Sequence, residues 1–246
     1  MAFLTCDYKS AVLGQNVAFN AVLPEQTDQP ARTLYLLHGL SDDHTNWMRF
    51  TSIERYANDS GIAVIMPNAA RSFYTDMANG RCYYTFVAEE LVAMAHRLFH
   101  LSSRREDRFI AGLSMGGYGA YRIALKNPDK FCAAGSLSGA LDSNRLARSD
   151  DWEGDRRLIL GEQYDVAGTD LDLRFLVNEI IRTGAPKPRL YQACGTEDFL
   201  YSANTEFRDF IQGKGFDHRY EEGPGDHTWA FWDTYIQKAI DFMLSA

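Results

Sequence analysis

The sequence lacks long apolar stretches, and its few cysteines lie far apart. No apolar run approaches the roughly 20 residues that a membrane-spanning helix requires. The four cysteines, Cys6, Cys82, Cys132 and Cys194, have a spacing that fits neither a zinc site nor a disulfide framework. We therefore expect reduced, mostly structural thiols, no metal site and no membrane partner.

Basic clusters are also missing. The chain has 33 acidic and 25 basic residues, a formal net charge of −8, and no basic run longer than Arg104-Arg105. This balance argues against a nucleic-acid-binding surface. Residues 1–8 contain neither the basic segment nor the apolar core of a secretory signal. We expect a cytoplasmic protein with no nucleic-acid partner, and the sequence leaves a homo-oligomer open.

What is present is the composition of a globular domain. With 246 residues, 46% of them hydrophobic, the chain can bury one sizeable core. It contains no internal repeats and no linker rich enough to divide two domains, so residues 1–246 are predicted to form a single domain.

Strand and helix patterns alternate along most of the chain. Strands are predicted at 3–8, 16–23, 33–38, 62–66, 108–111, 131–137, 189–194 and 218–222. Helices are predicted at 47–58, 85–100, 118–126, 201–214 and 229–244. The first two strands form an antiparallel hairpin, and the rest predict an α/β fold, a mostly parallel sheet with helices on both faces.

Two segments break this pattern. Residues 71–84 are polar and aromatic without a clear period, which predicts a surface loop. Residues 141–188 are rich in charge, with short helical pieces such as 152–154 and 161–164 and no strand pattern. This segment is too short and too polar to have its own core, so it is predicted to be a small cap inserted over the sheet.

A G-x-S-x-G motif, formed by Gly112, Ser114 and Gly116, stands between the apolar run 108–111 and the helix 118–126. Strand, tight turn and helix are the context of a nucleophile elbow, in which glycines permit a sharp turn. The alternative is an ordinary turn serine in a glycine-rich connection.

A serine nucleophile needs a base, and in this architecture the base follows the acid and the nucleophile along the chain. Two histidines come after Ser114. His218 lies within a predicted strand, whereas His227 lies on a loop between a strand and the last helix. We favour His227, because a loop at a strand tip can reach the nucleophile.

Three carboxylates compete to orient that base. Asp198 lies in the turn after the strand 189–194, Glu197 is its neighbour, and Asp226 adjoins His227. Strand-end acids are where this architecture places the orienting residue, so we favour Asp198. Its other interpretation is a helix N-cap before Tyr201.

An oxyanion hole requires two backbone donors. The amide of Met115 follows the nucleophile, and Leu40 lies in the loop after the strand 33–38, where Gly39 permits a close turn. Neither a metalloprotease motif nor a phosphate-binding glycine loop occurs, so no cofactor and no metal are predicted.

These motifs together resemble a known family. The segments that carry the resemblance are 37–40 followed by Trp47, then 84–91, 112–120, 194–198 and 225–229. They are similar to the esterase-D-like group of α/β-hydrolases, and most of all to its short-chain tributyrin esterases. The group also contains S-formylglutathione hydrolases, feruloyl and acetylxylan esterases and mycolyltransferases. The resemblance implies a catalytic triad of Ser114, Asp198 and His227, with Leu40 and Met115 at the oxyanion hole.

The expected activity is hydrolysis of small acyl esters by a serine carboxylesterase, with a small-molecule ester as the substrate. S-formylglutathione hydrolysis and removal of feruloyl or acetyl groups from carbohydrates are the alternatives, and a silent binding protein on the same fold is a third. Aromatic side chains near the strand tips are candidates for the substrate pocket, although each also fits plain packing. They are Trp47, Tyr83 and Trp229, with Tyr74 and Phe231.

Overall fold

The computed structural model describes residues 1–25, 28–148, 153–162 and 165–245. Within these residues one eight-stranded sheet runs in the order β1-β2-β4-β3-β5-β6-β7-β8. The strands are β1 Ala2–Ser10, β2 Gln15–Leu23, β3 Arg32–Leu37, β4 Ile62–Pro67, β5 Arg108–Leu113, β6 Ala133–Leu137, β7 Arg189–Gly195 and β8 His218–Gly223. β1 and β2 pair antiparallel, and β2 also pairs antiparallel with β4. The remaining pairs are parallel, as predicted.

The helices connect these strands. They are α1 Asn46–Phe50, α2 Ile53–Ser60, α3 Tyr83–Thr85, a π-helical turn Phe86–Glu90, α4 Leu91–Leu98, α5 Met115–Lys126, α6 Ser143–Arg148, α7 Glu153–Leu160, α8 Leu173–Thr183, α9 Tyr201–Ile211 and α10 Trp229–Leu244. The predicted helix at 47–58 is in fact two helices, because the Thr51 hydroxyl donates to the Trp47 carbonyl and accepts from the Ile53 amide. No helix in the described ranges combines the length and the apolar character that crossing a bilayer would need.

Both faces of the sheet are buried. In β3, Tyr35 and Leu37 belong to one apolar cluster, with residues from α4, α5, α8 and α9, whereas Leu34 and Leu36 belong to a second, with residues from α2 and α10. A strand covered on both sides reads as a continuous apolar run, which is why β3 lacks polar alternation. The helices therefore cover both faces of the sheet, and the loops lie at the ends of its strands.

The prediction of a surface loop at 71–84 is wrong for its central part. Ser72, Phe73, Tyr74 and Thr75 are buried, and Arg122 from α5 donates to the Tyr74 carbonyl. The segment has no hydrophobic periodicity, because it is irregular and its side chains contact different parts of the protein. Its burial was therefore not visible in the sequence pattern. Tyr83 and Tyr84 are buried too, and the exposed positions of the segment are 71, 76 and 78–82.

The segment 141–188 contains α6, α7 and α8. Its residues 149–152 and 163–164, which include Trp152, Gln163 and Tyr164, lie outside the described residues. Leu173 and Val177 of α8 are fully buried in the same cluster as α5. The α8 helix is thus part of the main helical layer, and the candidates for a cap are α6 and α7.

Candidate active site

Ser114 connects β5 directly to α5 and adopts a left-handed backbone, with φ of 54° and ψ of −118°. This region is costly for a residue with a Cβ and is found where the surroundings impose it. The Ser114 amide donates to the Leu137 carbonyl at 2.9 Å, which ties the turn to the end of β6. The predicted strand, tight turn and helix are therefore present.

The motif glycines act differently from the prediction. The sharp turn falls on Ser114 itself, and the glycines permit close packing instead. A Cβ on Gly112 would lie 2.5 Å from the Gly116 backbone, and a Cβ on Gly116 would lie 2.6 Å from the Leu37 and His38 carbonyl oxygens. The first turn of α5 thus sits directly against β5 and the end of β3.

Asp198 and His227 are brought together at the same edge of the sheet. Asp198 follows β7, His227 follows β8, and the Nδ1 of His227 lies 2.9 Å from Oδ2 of Asp198. The other oxygen of Asp198 accepts from the Leu200 amide at 2.8 Å. The predicted contact between Asp198 and His227 is therefore present. The helix N-cap interpretation is wrong, because the N-cap of α9 is Leu200 and the second oxygen of Asp198 closes the turn before it.

The environment keeps this carboxyl ionised. Asp198 is only 4% exposed, and burial acts to raise its pKa. The hydrogen bonds from His227 and from the Leu200 amide outweigh burial and hold the pKa of Asp198 below its ordinary value. A buried anion at this place favours the imidazole tautomer that carries its proton on Nδ1.

The competing acids have other contacts. Glu197 is exposed, but its carboxylate accepts from the Gly225 amide, and its own amide donates to the Gly225 carbonyl at 3.0 Å. Asp226 is exposed. Glu197 therefore clamps the loop that carries His227, a role that the sequence analysis missed because nothing local distinguishes one turn carboxylate from another.

His218 does not reach this edge. It is the first residue of β8, whereas the loop with His227 follows the last residue of that strand. Its Nε2 lies 3.1 Å from the Gln192 side-chain oxygen, and burial lowers its pKa to about 4. His218 is therefore a neutral packing residue at the opposite end of β8.

The loop after β3 is fixed by a buried histidine that the sequence analysis passed over. The Nε2 of His38 accepts from the Ala69 amide at 2.9 Å, so Nδ1 carries the proton and donates to the Gly39 carbonyl at 2.6 Å. Burial lowers the pKa of His38 to about 4, which keeps the ring neutral. The Gly39 amide donates to Asp42 at 3.2 Å, so the candidate oxyanion donor in this turn is the next amide, that of Leu40.

Met115, the other candidate donor, is the first residue of α5, where backbone amides have no partner within the helix. Its side chain also fixes the neighbouring loop, because the Phe73 amide donates to the Met115 sulfur at 3.3 Å. The arrangement presents an amide at the positive end of a helix next to the serine.

Two of the predicted pocket residues prove to be core residues. Trp47 is 1% exposed and donates from its indole to the Leu37 carbonyl at 3.0 Å. Tyr83 packs edge-on against Phe86 in the core cluster. Tyr74 and Phe231 are buried too, as their apolar neighbours require. Trp229 differs, because it is only partly buried beside Trp232, which itself contacts His227.

A small apolar cavity of about 20 Å³ lies between α5 and the helices α6 and α7, one helical turn beyond the serine. Tyr118, whose amide donates to the Ser114 carbonyl, and Phe73 line its inner side. The remaining lining residues are Thr75, Ser143, Ala147, Ile159, Leu160, Val166 and Leu171. A cavity of this size has room for about one water-sized group.

Comparisons with known proteins show the family of this chain. The family model described as putative esterase matches residues 10–243. An acetyl esterase of Caldicellulosiruptor saccharolyticus is 32% identical, over 99% of this chain and 98% of its own length. Two Staphylococcus aureus structures are each 39% identical, over 99% of this chain and 98% of theirs. They are the fluorophosphonate-binding serine hydrolase FphF with bound substrate, with a TM-score of 0.94, and the S-formylglutathione hydrolase FrmB, with a TM-score of 0.90.

The serine at the tip of β5, the eight-stranded sheet and these similarities lead to one assignment. The chain belongs to the esterase family of serine hydrolases and has the α/β-hydrolase fold.

Proposed function

We propose that this protein is a carboxylesterase that hydrolyses short-chain acyl esters through an acyl-enzyme on Ser114. His227 takes the proton from Ser114 as the hydroxyl attacks the ester carbonyl, and then gives it to the departing alcohol. Water, activated by the same imidazole, hydrolyses the acyl-enzyme. Asp198 holds the imidazole in the correct tautomer and stabilises its charged form.

One observation carries this proposal. The hydrogen bond of 2.9 Å between His227 and Asp198 forms at the edge of the sheet where the strained Ser114 also stands. The tips of these strands are tied together, because the Ser114 amide binds the Leu137 carbonyl and the Ser138 amide binds the Ala193 carbonyl. The proposed nucleophile, acid and base thus come from the loops after β5, β7 and β8 of one scaffold, with the end of β6 linking the first two.

The amides of Leu40 and Met115 are assigned to the oxyanion. A Cβ placed on Gly39 would lie 3.8 Å from the Cβ of Ser114, so the loop with Leu40 runs beside the serine. The amide of Met115 lies at the start of α5, where the helix dipole also favours negative charge. Loss of one such donor costs about 3–4 kcal/mol of transition-state stabilisation in enzymes where it was measured.

The size of the acyl group follows from the cavity between Phe73, Tyr118 and the helices α6 and α7. Its walls are apolar, and its volume of about 20 Å³ admits about one methyl-sized group, so we expect short acyl chains, acetyl above all, to be preferred to long ones. The similarity to an acetyl esterase supports the same choice.

S-formylglutathione hydrolysis is the second candidate, because a structure described by that activity is 39% identical to this chain. A formyl group would fit the same cavity. The leaving group favours the ester, since glutathione is an anion and the exposed carboxylates of Glu197 and Asp226 adjoin the base.

A panel of substrates tests the proposal. We expect p-nitrophenyl acetate and butyrate to be hydrolysed with the highest kcat/KM, with a steady fall towards octanoate and low rates on feruloyl esters. A fluorophosphonate probe should label Ser114, and Ser114→Ala should lose both the label and about 10⁶-fold in kcat. The matched control is Ser103→Ala, an exposed serine before β5 at the opposite edge of the sheet.

Two results would contradict the proposal. A higher kcat/KM on S-formylglutathione than on every oxygen ester would make the thioesterase the correct function. Failure of the probe to label Ser114, together with no turnover of any ester, would show that the serine is not a nucleophile.

A further inference from the structure

Phe199 is the most exposed large hydrophobic side chain among the described residues, with 73% of its surface open to solvent. It directly follows Asp198, and its ring centroid lies 4.6 Å from that of His227 at an interplanar angle of 48°. A single exposed hydrophobic side chain is common on protein surfaces and by itself indicates no partner. The position of this ring against the proposed base is what points to a role in substrate binding.

The imidazole of His227 also contacts Trp232, edge-on at 4.9 Å. Trp232 is buried and held by a hydrogen bond of 3.0 Å from its indole to the Ser138 hydroxyl. Trp232 can therefore fix the imidazole without help. Phe199 is not needed for that purpose, and most of its ring faces outward.

The aromatic surface continues beyond His227. The ring centroids of Trp229 and Trp232 lie 5.3 Å apart. Trp229 also stacks on the half-exposed ring of Phe50, with a centroid distance of 5.2 Å. We call Phe199, Trp229 and Phe50 the aromatic rim. Arg49 lies over the Phe50 ring at 5.4 Å, at the far end of the rim. Beside the base the charged residues are the acidic Glu197 and Asp226, so the part of the rim at Phe199 favours a neutral partner over an anion.

The side on which the alcohol leaves determines which part of the substrate contacts this rim. In the proposed mechanism His227 donates its proton to the departing alcohol, so the alcohol leaves on the His227 side. The acyl group occupies the other side, towards the cavity lined by Phe73 and Tyr118. The ring of Phe199 therefore borders the leaving group and not the acyl chain.

We propose that Phe199 forms the leaving-group subsite and makes the enzyme selective for esters of neutral aromatic alcohols. This inference rests on the proposed esterase function and specifies its substrate class as short-chain acyl esters of aryl or arylmethyl alcohols. Offset stacking between the substrate ring and Phe199 supplies the selectivity, and the covered ring loses its contact with water.

Benzyl acetate and methyl acetate test the inference, because both give the same acetyl-enzyme and differ only in the leaving group. We expect Phe199→Ala to lower kcat/KM for benzyl acetate about three- to tenfold, mainly through KM, which is the range that aromatic pairs provide. The rate on methyl acetate should stay within twofold, and Phe199→Leu should be intermediate. Phe3→Ala is the matched control, since Phe3 is 47% exposed on the edge strand β1.

Three outcomes overturn the inference. An equal loss on both esters means that Phe199 acts only by packing against His227, and no loss on either means that the ring is not a subsite. A change in oligomeric state of Phe199→Ala on size-exclusion chromatography means that a second copy of the chain covers it. Fluorophosphonate labelling separates these cases from failure of the esterase function, in which wild-type Ser114 is unlabelled and neither acetate is hydrolysed.

Discussion

At the scale of single residues, the two carboxylate oxygens of Asp198 have different partners, and this leads to a testable difference between substitutions. One oxygen binds His227 and the other accepts the Leu200 amide ahead of α9. The proposed orienting role depends on the negative charge and the acceptor facing Nδ1, whereas the turn needs only an oxygen acceptor. Different substitutions can therefore separate catalysis from stability.

We predict that Asp198→Asn lowers kcat about 10⁴-fold, because an amide facing Nδ1 favours the wrong imidazole tautomer. Its remaining oxygen can still accept from Leu200, so the free energy of unfolding should change little. Asp198→Ala should lose as much activity and also about 1 kcal/mol of stability, since the Leu200 amide loses its acceptor. Esterase kinetics and urea unfolding measure the two effects. Near-normal turnover by Asp198→Asn would mean that another acid orients His227.

At the scale of secondary-structure elements, the site depends on how closely α5 packs against β3. The Gly116 position faces the Leu37 and His38 carbonyl oxygens, and His38 in turn holds the turn before Leu40. Any widening of this contact shifts the loop with the proposed oxyanion donor relative to Ser114.

Gly116→Ala tests this packing. A Cβ at this position would lie 2.6 Å from two backbone oxygens, and no side-chain rotation can relieve that clash. We therefore predict that the variant loses about 1–3 kcal/mol of stability and has a reduced kcat. Gly154→Ala in α7 is the control, because no atom lies within 4 Å of its added methyl group. It should leave kcat unchanged and raise the thermal midpoint slightly, as alanine gains up to about 1 kcal/mol over glycine in a helix. Equal behaviour of the two variants would contradict the packing argument.

A second link joins α7 to the same loop. The Arg71 guanidinium binds both oxygens of Asp155 on α7, at 2.6–3.1 Å, and its Nη1 lies 3.5 Å from the Leu40 carbonyl. Exposed ion pairs contribute little to stability. The contact with Leu40 instead suggests an effect on catalysis.

We predict that Arg71→Ala lowers kcat about three- to tenfold on acetyl esters with little change in KM, because oxyanion contacts act in the transition state. Arg157→Ala is the control, since Arg157 is also an exposed arginine near α7's end and pairs with Glu153 within the helix. Arg71→Lys should restore part of the activity through the Leu40 contact. A change in KM alone, or an equal loss in Arg157→Ala, would show that Arg71 only supports α7.

At the scale of the whole molecule, two neutral histidines, the buried His38 and the partly buried His218, couple folding to pH. The pKa values of His38 and His218 are lowered to about 4, with burial as the main cause. The unfolded chain has ordinary histidines, so between pH 6.5 and 4 it binds more protons than the folded protein does. Stability must therefore be full above about pH 6.5 and fall as the pH drops towards 4.

We predict that the free energy of unfolding in urea decreases over this window, with His38 alone contributing up to about 3 kcal/mol. Asp42 acts in the opposite direction near the lower end, because burial raises the pKa of its carboxyl. His218→Gln should show a shallower decrease than wild type, since one of the two groups is gone. An unchanged slope in that variant would mean that His218 is already protonated or exposed in the folded protein.

The sequence by itself determined the local features of the site. The strand, turn and helix around Ser114 follow from short-range patterns, and the order of serine, aspartate and histidine follows the strand tips. Parallel strands bring their carboxyl ends to one edge, so residues after β3, β5, β7 and β8 had to be neighbours. The predicted fold class is confirmed for the same reason.

Only the tertiary structure decided matters that depend on contacts between distant segments. It selected Asp198 over Glu197 as the partner of His227, placed Trp47 and Tyr83 in the core, and gave His38 its role in the turn before Leu40. Burial and hydrogen-bond partners are properties of the packed molecule, and a residue's own neighbours along the chain do not encode them. The exposed ring of Phe199 beside the base is a feature of the same kind, visible once the chain is folded.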